Sequence, residues 1–122
     1  MNEDKPKELK DRTKEFALRI VRLYAALPNT TVAQVLGKQM LRSGTSVGAH
    51  YREGMFGRSD AEFISKLEGA LQELEETSYW LELLVDSGTS SEDSVQDVAR
   101  EARELIAILV TCVKKVKNRN SK

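Results

Sequence analysis

The 122-residue sequence contains few cysteine, proline and aromatic residues. It contains one cysteine, two prolines and one histidine, and aromatic residues make up only 6% of it. A single cysteine, Cys112, excludes a disulfide framework within the chain and favours a reducing compartment. Because Cys112 lies in an apolar repeat, we expect it in the core rather than as a reactive thiol.

Long apolar runs are also lacking. None approaches the roughly 20 residues that a membrane-spanning helix needs. The first twelve residues are rich in charge, which is not the pattern of a secretory signal peptide. We therefore expect a cytoplasmic protein without a membrane segment, and its length fits a single domain over residues 1–122.

Charged residues are abundant, at 31% of the chain, yet the net charge is zero. The charges are spread unevenly: residues 1–28, 29–58, 59–87 and 88–122 carry +2, +3, −7 and +2. The third segment is thus acidic within a mildly basic remainder. Such a segment attracts a basic partner or a second copy of the same chain, and the neutral total gives no support for nucleic-acid binding.

Apolar residues at three- and four-residue steps predict four helices, at about residues 7–26, 32–57, 60–86 and 92–117. Pro28 ends the first helix, and Thr30 or Thr31 can cap the second. Ser59 and Glu62 have the spacing of a capping box at the start of the third. The face predicted for the second helix consists of Val32, Leu36, Met40, Ser43, Val47, Tyr51 and Met55.

Short loops between long helices force neighbours to run antiparallel. The sequence therefore predicts an all-α fold, an antiparallel up-down-up-down four-helix bundle. The alternative is an array of helical hairpins that other chains close.

The last two helices carry more apolar side chains than one buried face requires. Tyr79, Trp80 and Leu83 flank the seam of the third helix, and Ile106, Ile108 and Val110 flank that of the fourth. A second apolar face on a short bundle indicates contact between subunits, which makes Tyr79, Trp80 and Leu83 candidate interface residues. A wide intramolecular core is the other interpretation.

An unusual segment, Arg42 to Glu53, places Gly44 and Gly48 one turn apart within a helix. Each glycine costs roughly 1 kcal/mol relative to alanine in such a position. We expect the close approach of a neighbouring helix to compensate, with Ser or Thr hydroxyls bonding back to the preceding turn.

Three enzymatic patterns fail in this segment. Residues 44–48 match Gly-x-Ser-x-Gly, but a nucleophile elbow needs a strand before it, and here helix lies on both sides. Gly37-Lys38 lacks the other residues of a phosphate-binding loop. His50-x-x-Glu53 reverses the order found in di-iron bundles, and Glu73-x-x-Glu76 has no histidine. We expect no catalytic residue, metal, cofactor or small-molecule substrate.

The predicted turn at residues 57–60 sets the register of the second and third helices. It places Arg42 opposite Glu75 or Glu76, and His50 opposite Leu67, which offers no charge. A partly buried Arg42 pair would fix the register of the two helices. A solvated surface pair is the alternative.

Several stretches of sequence together resemble one family, the 23S rRNA-intervening-sequence proteins, which are four-helix bundles. The matching stretches are FALRIVRLY at 16–24, Leu27-Pro28, QMLRSGTSVGAHYRE at 39–53, FISKL at 63–67 and EETSYWLELL at 75–84. Together they span about residues 9–117. The predicted structural motif comprises Arg42, Ser43, Gly44, Ser46, Gly48, His50, Glu53, Glu75 and Glu76. One departure is His50, where the family commonly has asparagine, so a polar network built on that amide need not carry over.

The resemblance implies no enzymatic activity, since none is established for the family. Some members are encoded within bacterial 23S ribosomal RNA genes. The family is also similar to accessory proteins of diversity-generating retroelements, which form five-membered rings and bind nucleic acid and a reverse transcriptase through basic surfaces. Those relatives are markedly basic and this chain is neutral, so ring assembly carries over more readily than nucleic-acid binding.

We therefore expect a non-enzymatic homo-oligomeric scaffold or adaptor, a pentamer by resemblance, that binds RNA, DNA or a protein associated with them. The alternative is a protein-binding helical module without a nucleic-acid role. Exposed cations are the candidate phosphate contacts, although each would also suit a solvated surface. They are Arg19, Arg22, Lys38, Arg52 and Arg58, with a second cluster of Lys114, Lys115, Lys117 and Arg119.

Overall fold

The computed structural model describes residues 8–120, and over that range the chain forms four helices and no strand. They are α1 (Leu9–Ala25), α2 (Thr31–Met55), α3 (Asp60–Asp86) and α4 (Glu92–Asn120). The predicted all-α four-helix bundle is confirmed. The predicted start of the first helix at Lys7 lies outside the described residues, and α4 continues beyond its predicted end at residue 117.

Local side-chain bonds explain where α2 and α3 begin. The hydroxyl of Thr30 accepts a hydrogen bond from the Ala33 amide at 3.1 Å, and that of Ser59 accepts one from the Glu62 amide at 3.1 Å. Glu62 in turn accepts from the Arg58 amide at 3.2 Å, one residue before the position that a standard capping box would use. These bonds satisfy amides that have no partner within the helix.

Consecutive helices pack against each other, and α1 closes the bundle against α4. The α1–α4 contact is the smallest of the four, and α1 does not pack against α3. The connections are too short for parallel neighbours, so the helices run up-down-up-down. One end of the bundle therefore holds the α2–α3 turn and the C-terminal end of α4, and the other holds the α1–α2 and α3–α4 turns.

The core forms from apolar side chains of all four helices. Its largest fully buried members are Phe16, Ile20, Met40, Leu67, Leu74, Leu81, Leu84, Leu105 and Leu109. The predicted α2 face is wrong at both ends, since Val32 and Met55 are 51% and 57% exposed. These two residues lie in the terminal turns of α2, beyond the packed part of the bundle. Cys112 is half-buried beside the core.

The glycines of α2 allow α1 to lie unusually close. A Cβ added at Gly44 would stand 2.7 Å from Ile20 Cγ1, and one added at Gly48 would stand 3.1 Å from Thr13 Oγ1. Ser46 donates to the Arg42 carbonyl at 2.7 Å, and Ser43 lies 3.3 Å from the Met40 carbonyl. The packing of α1 thus offsets the helix-forming cost of these glycines.

None of the helices within residues 8–120 has the length and apolarity to cross a membrane.

Candidate functional site

Arg42 joins α2 to α3 at the surface. Its guanidinium lies 2.7 Å from Glu76 Oε1 and 3.2 Å from Glu73 Oε1. Hydrogen bonding to Glu73 raises the pKa of Arg42 above its ordinary value. The side chain is 52% exposed, so the expectation of a partly buried pair is wrong, as is the choice of Glu75 as a partner. Glu75 is exposed on another side of α3.

The register of α2 against α3 explains this correction. The hydroxyls of Ser43 and Thr77 lie 2.7 Å apart, whereas the predicted register places Ser43 opposite Leu74. Both residues are fully buried, and Thr77 also donates to the Glu73 carbonyl at 2.8 Å. With Ser43 beside Thr77, the Arg42 side chain bonds Glu76 and Glu73, which lie one and four residues before Thr77 on α3. A buried hydroxyl pair in an apolar seam therefore fixes how α2 and α3 align.

The predicted register placed the uncharged Leu67 opposite His50, whereas in the structure two carboxylates lie near His50. Its Nε2 lies 3.6 Å from Glu73 Oε2, and its Nδ1 lies 3.9 Å from Glu53 Oε1. The ring rests on Gly69, where an added Cβ would stand 3.0 Å from Nδ1. The absence of a side chain at Gly69 gives the ring room to lie across α3 and to approach Glu73.

The polar cluster formed by Arg42, His50, Glu73 and Glu76 is not arranged for nucleophilic catalysis. The Ser46 hydroxyl is bonded to the Arg42 carbonyl, and His50 lies beside carboxylates rather than beside that hydroxyl. A triad requires the base within hydrogen-bond reach of the nucleophile. Within residues 8–120, no group of three histidine, cysteine, aspartate or glutamate side chains is placed to hold a metal ion. The cluster is a structural tie between α2 and α3.

Replacing Arg42 with alanine is expected to lower the free energy of unfolding by less than about 1 kcal/mol, because exposed ion pairs contribute little. Thermal unfolding followed by circular dichroism measures the change. The matched control is Arg100→Ala, which removes an exposed pair with Asp97 inside α4. A loss of several kcal/mol for Arg42→Ala alone would contradict the solvated interpretation.

Another ion pair, missed by the sequence analysis, joins α1 to α4. Arg12 donates to Glu101 through two bonds, Nε to Oε2 at 2.7 Å and Nη2 to Oε1 at 2.9 Å. It also donates to Glu104 Oε1 at 2.7 Å. Hydrogen bonding to Glu101 raises the pKa of Arg12 above its ordinary value. The pair reinforces the smallest helix contact of the bundle.

The structure divides the predicted phosphate contacts into separate groups. Arg52, Arg58, Lys114 and Lys115 lie at the bundle end formed by the α2–α3 turn and the C-terminal end of α4. We call these four residues the basic end. All four are exposed, and none forms a side-chain ion pair with another described residue. A depression of about 400 Å³, lined by Arg58, Phe63 and Val116 among others, lies at this end.

The other predicted cations do not belong to this group. Lys117 pairs with Glu68 at 3.1 Å and Arg119 with Asp60 at 3.3 Å, which neutralises both locally. Arg19 and Arg22 lie on α1, and Lys38 lies in the first half of α2, nearer the opposite end. The sequence alone did not separate these groups, because their grouping depends on which helix ends meet.

An exposed aromatic side chain accompanies the basic end. Phe56 follows Met55, the last residue of α2, and lies in the same α2–α3 turn as Arg58. Its side chain is 87% exposed. In the sequence, few aromatic residues stand beside the predicted phosphate contacts, which argued against a surface for stacking single strands. An exposed ring beside cations is an arrangement on which a nucleic-acid base can stack.

The predicted interface residues differ in exposure. Tyr79 is exposed, and its ring lies 5.1 Å from that of Trp80 at 60°. Trp80 is partly buried against the core, and Leu83 is half-buried. Ile106 also packs against the core, while Ile108 and Val110 are half-buried. Part of the surplus apolar surface therefore serves the intramolecular core.

The fold and these surfaces define a four-helix-bundle protein whose polar residues tie helices together and whose α2–α3 end carries four exposed cations without ion pairs to described residues. The chain belongs to the 23S rRNA-intervening sequence protein family, whose model matches residues 7–111. A crystal structure at 1.70 Å resolution, of a protein of unknown function from the S23 ribosomal protein family of Bacteroides thetaiotaomicron VPI-5482, is 42% identical to it. That match covers 88% of this chain and 99% of the other, with a TM-score of 0.83. No curated protein matches the chain. Neither the family nor this neighbour indicates an enzyme.

Proposed function

We propose that this protein is a non-enzymatic homo-oligomeric adaptor that contacts nucleic acid through its basic end. The observation that carries the proposal is the group of four exposed cations without ion-pair partners among the described residues, beside the exposed ring of Phe56. Lysine and arginine bind phosphates with release of counterions, which makes affinity depend on salt. The chain as a whole is neutral, but the contact with nucleic acid would depend on the local positive charge of the basic end.

Assembly would strengthen such a contact. Two unpaired lysines and two arginines on one copy form a small footprint, but several copies in one ring would present the same footprint side by side. Linked sites bind a long ligand far more tightly than one site does. The resemblance to retroelement accessory proteins favours a ring of five, and a cytoplasmic location agrees with the single cysteine.

Reversing the charge of Lys114 and Lys115 together is expected to weaken nucleic-acid binding by about tenfold or more. If both lysines contact duplex phosphates, the slope of log affinity against log salt concentration should fall by roughly 2. Fluorescence anisotropy with a labelled RNA hairpin and a labelled DNA duplex, at several salt concentrations, measures both quantities.

The matched control is Arg19→Glu with Lys38→Glu, which changes the net charge equally but lies outside the basic end. This control should bind nearly as well as the native chain. Equal losses in both variants would show that only total charge matters and would contradict the assignment of the basic end.

A protein-binding role without nucleic acid is the second candidate. The exposed Tyr79 on the acidic α3 favours it, because an aromatic side chain among carboxylates suits a basic protein partner. Absence of binding to either nucleic acid at low salt would exclude the direct contact and favour this alternative.

A further inference from the structure

A groove of about 780 Å³ runs along the surface between α3 and α4, in the half of the bundle away from the basic end. Its apolar lining includes Leu81 and Val85 from α3, and Val95 and Ile106 from α4. Leu81 and Val95 are buried core residues that form the floor of the groove, and the half-buried Val85 and Ile106 supply its exposed apolar surface. An elongated apolar groove of this kind fits the face of a helix.

Carboxylates surround this groove. Glu75, Glu82, Asp86 and Glu92 line it, against one cation, Arg103. None of the four carboxylates forms an ion pair with a described residue, unlike Glu73 and Glu76 on the neighbouring face of α3. Four carboxylates against one arginine leave the lining with a net charge of −3. The groove therefore favours an occupant that is both apolar and basic.

The outward face of α1 has that chemistry. Lys14, Leu18, Val21, Arg22 and Ala25 recur at three- and four-residue steps, and all are exposed. We call them the α1 outer face. Leu18 and Val21 are 41% and 42% exposed, so this face presents apolar side chains to solvent between its two cations. Lys14 and Arg22 pair with no described carboxylate.

The two surfaces lie at the same height in the bundle. Ile20 of α1 packs on Gly44 of α2, and Ser43, next to Gly44, is bonded to Thr77 of α3. Ile20 and Thr77 therefore lie at about the same position along the bundle axis. Leu18 and Val21 flank Ile20, while Glu75 and Leu81 flank Thr77. A ring whose axis runs along the bundle rotates copies without shifting them, so its contacting surfaces must match in height.

We infer that the α1 outer face of one copy docks into the α3–α4 groove of the next copy. Because α1 and α3 do not pack against each other within one chain, both surfaces stay available at once. The two patches differ, so the contact runs head to tail and generates a closed ring or an open filament rather than a two-fold dimer. This inference rests on the homo-oligomeric assembly proposed above, and it assigns the contacting surfaces.

Charge reversal tests the contact. Lys14→Glu with Arg22→Glu should convert the assembly to monomers, and so should Glu75→Lys with Glu82→Lys. Combining the four substitutions in one chain restores opposite charges and should restore the native mass. Multi-angle light scattering after gel filtration measures mass, and circular dichroism verifies that each variant is folded. Arg19→Glu with Lys38→Glu is the matched control and should assemble as the native chain does.

The outcomes separate this inference from the assembly itself. Folded monomers for both double variants, with recovery in the fourfold variant, support the contact. A native chain that assembles while both double variants keep its mass overturns the assigned surfaces but leaves the scaffold proposal standing. A native chain that is monomeric at all concentrations overturns both. Assembly by only one of the double variants shows that another surface supplies the contact and also overturns the assignment.

Discussion

Replacing Gly44 with alanine is expected to destabilise the protein by about 2 kcal/mol, although alanine is the better helix former by about 1 kcal/mol. The added methyl group would stand 2.7 Å from Cγ1, 2.9 Å from Cγ2 and 3.2 Å from Cβ of Ile20. These atoms belong to a fully buried branched side chain with little freedom to move. The backbones of α1 and α2 must therefore separate. Chemical denaturation gives the free energy of unfolding.

Two further variants assign this effect to the α1 contact. Gly48→Ala should change stability by less than about 1 kcal/mol. The atom nearest to the added Cβ would be Thr13 Oγ1 at 3.1 Å, and a small shift of that side chain relieves the close contact. Ile20→Ala creates space for the methyl group, so Gly44→Ala should cost less in that background than in the native one. Equal cost in both backgrounds would contradict the direct contact with Ile20.

Replacing Arg12 with alanine is expected to cost about 2 kcal/mol, the loss typical of hydrogen bonds to a charged group. Glu101 is only 15% exposed, and it would lose both bonds that neutralise it. Since α1 meets α4 less extensively than any other packed pair of helices, the loss should loosen that corner first. Thermal unfolding gives the total effect, and hydrogen exchange of α1 amides locates it.

Arg12→Lys provides the geometric control. Lysine keeps the charge but does not form the two parallel bonds, so about half of the stability should return. An Arg12→Ala protein that unfolds at the native temperature would show that the α1–α4 corner does not depend on this pair. The comparison with Arg42→Ala is informative, because both arginines bind two carboxylates and differ mainly in exposure.

Local features could be predicted from the sequence. Thr30 and Ser59 cap helices because their bonds reach only three residues along the chain. The capping-box spacing of Ser59 and Glu62 marked the start of α3, and its predicted range of residues 60–86 agrees with the observed Asp60–Asp86. The predicted α2 face was wrong at Val32 and Met55, which are exposed. The apolar periodicity of α2 does not show where the neighbouring helices stop covering the terminal turns of α2.

Contacts between helices were harder to predict. The α2–α3 register was wrong by about three residues, since it depends on the Ser43–Thr77 bond and on the room that Gly69 leaves for His50. The Arg12–Glu101 pair could not be predicted, because α1 and α4 share no connecting turn that would set their register. The basic end could not be predicted for the same reason: Arg58 and Lys115 are distant in sequence, and only the antiparallel packing of the helices places them at one end of the bundle.

The central claim is that this bundle is one unit of a larger assembly, and the mass of the native chain in solution tests it most directly. Analytical ultracentrifugation over a range of concentrations should give a whole-number multiple of the 13.7 kDa chain, five by the family resemblance. A mass of 13.7 kDa at every concentration would contradict the account.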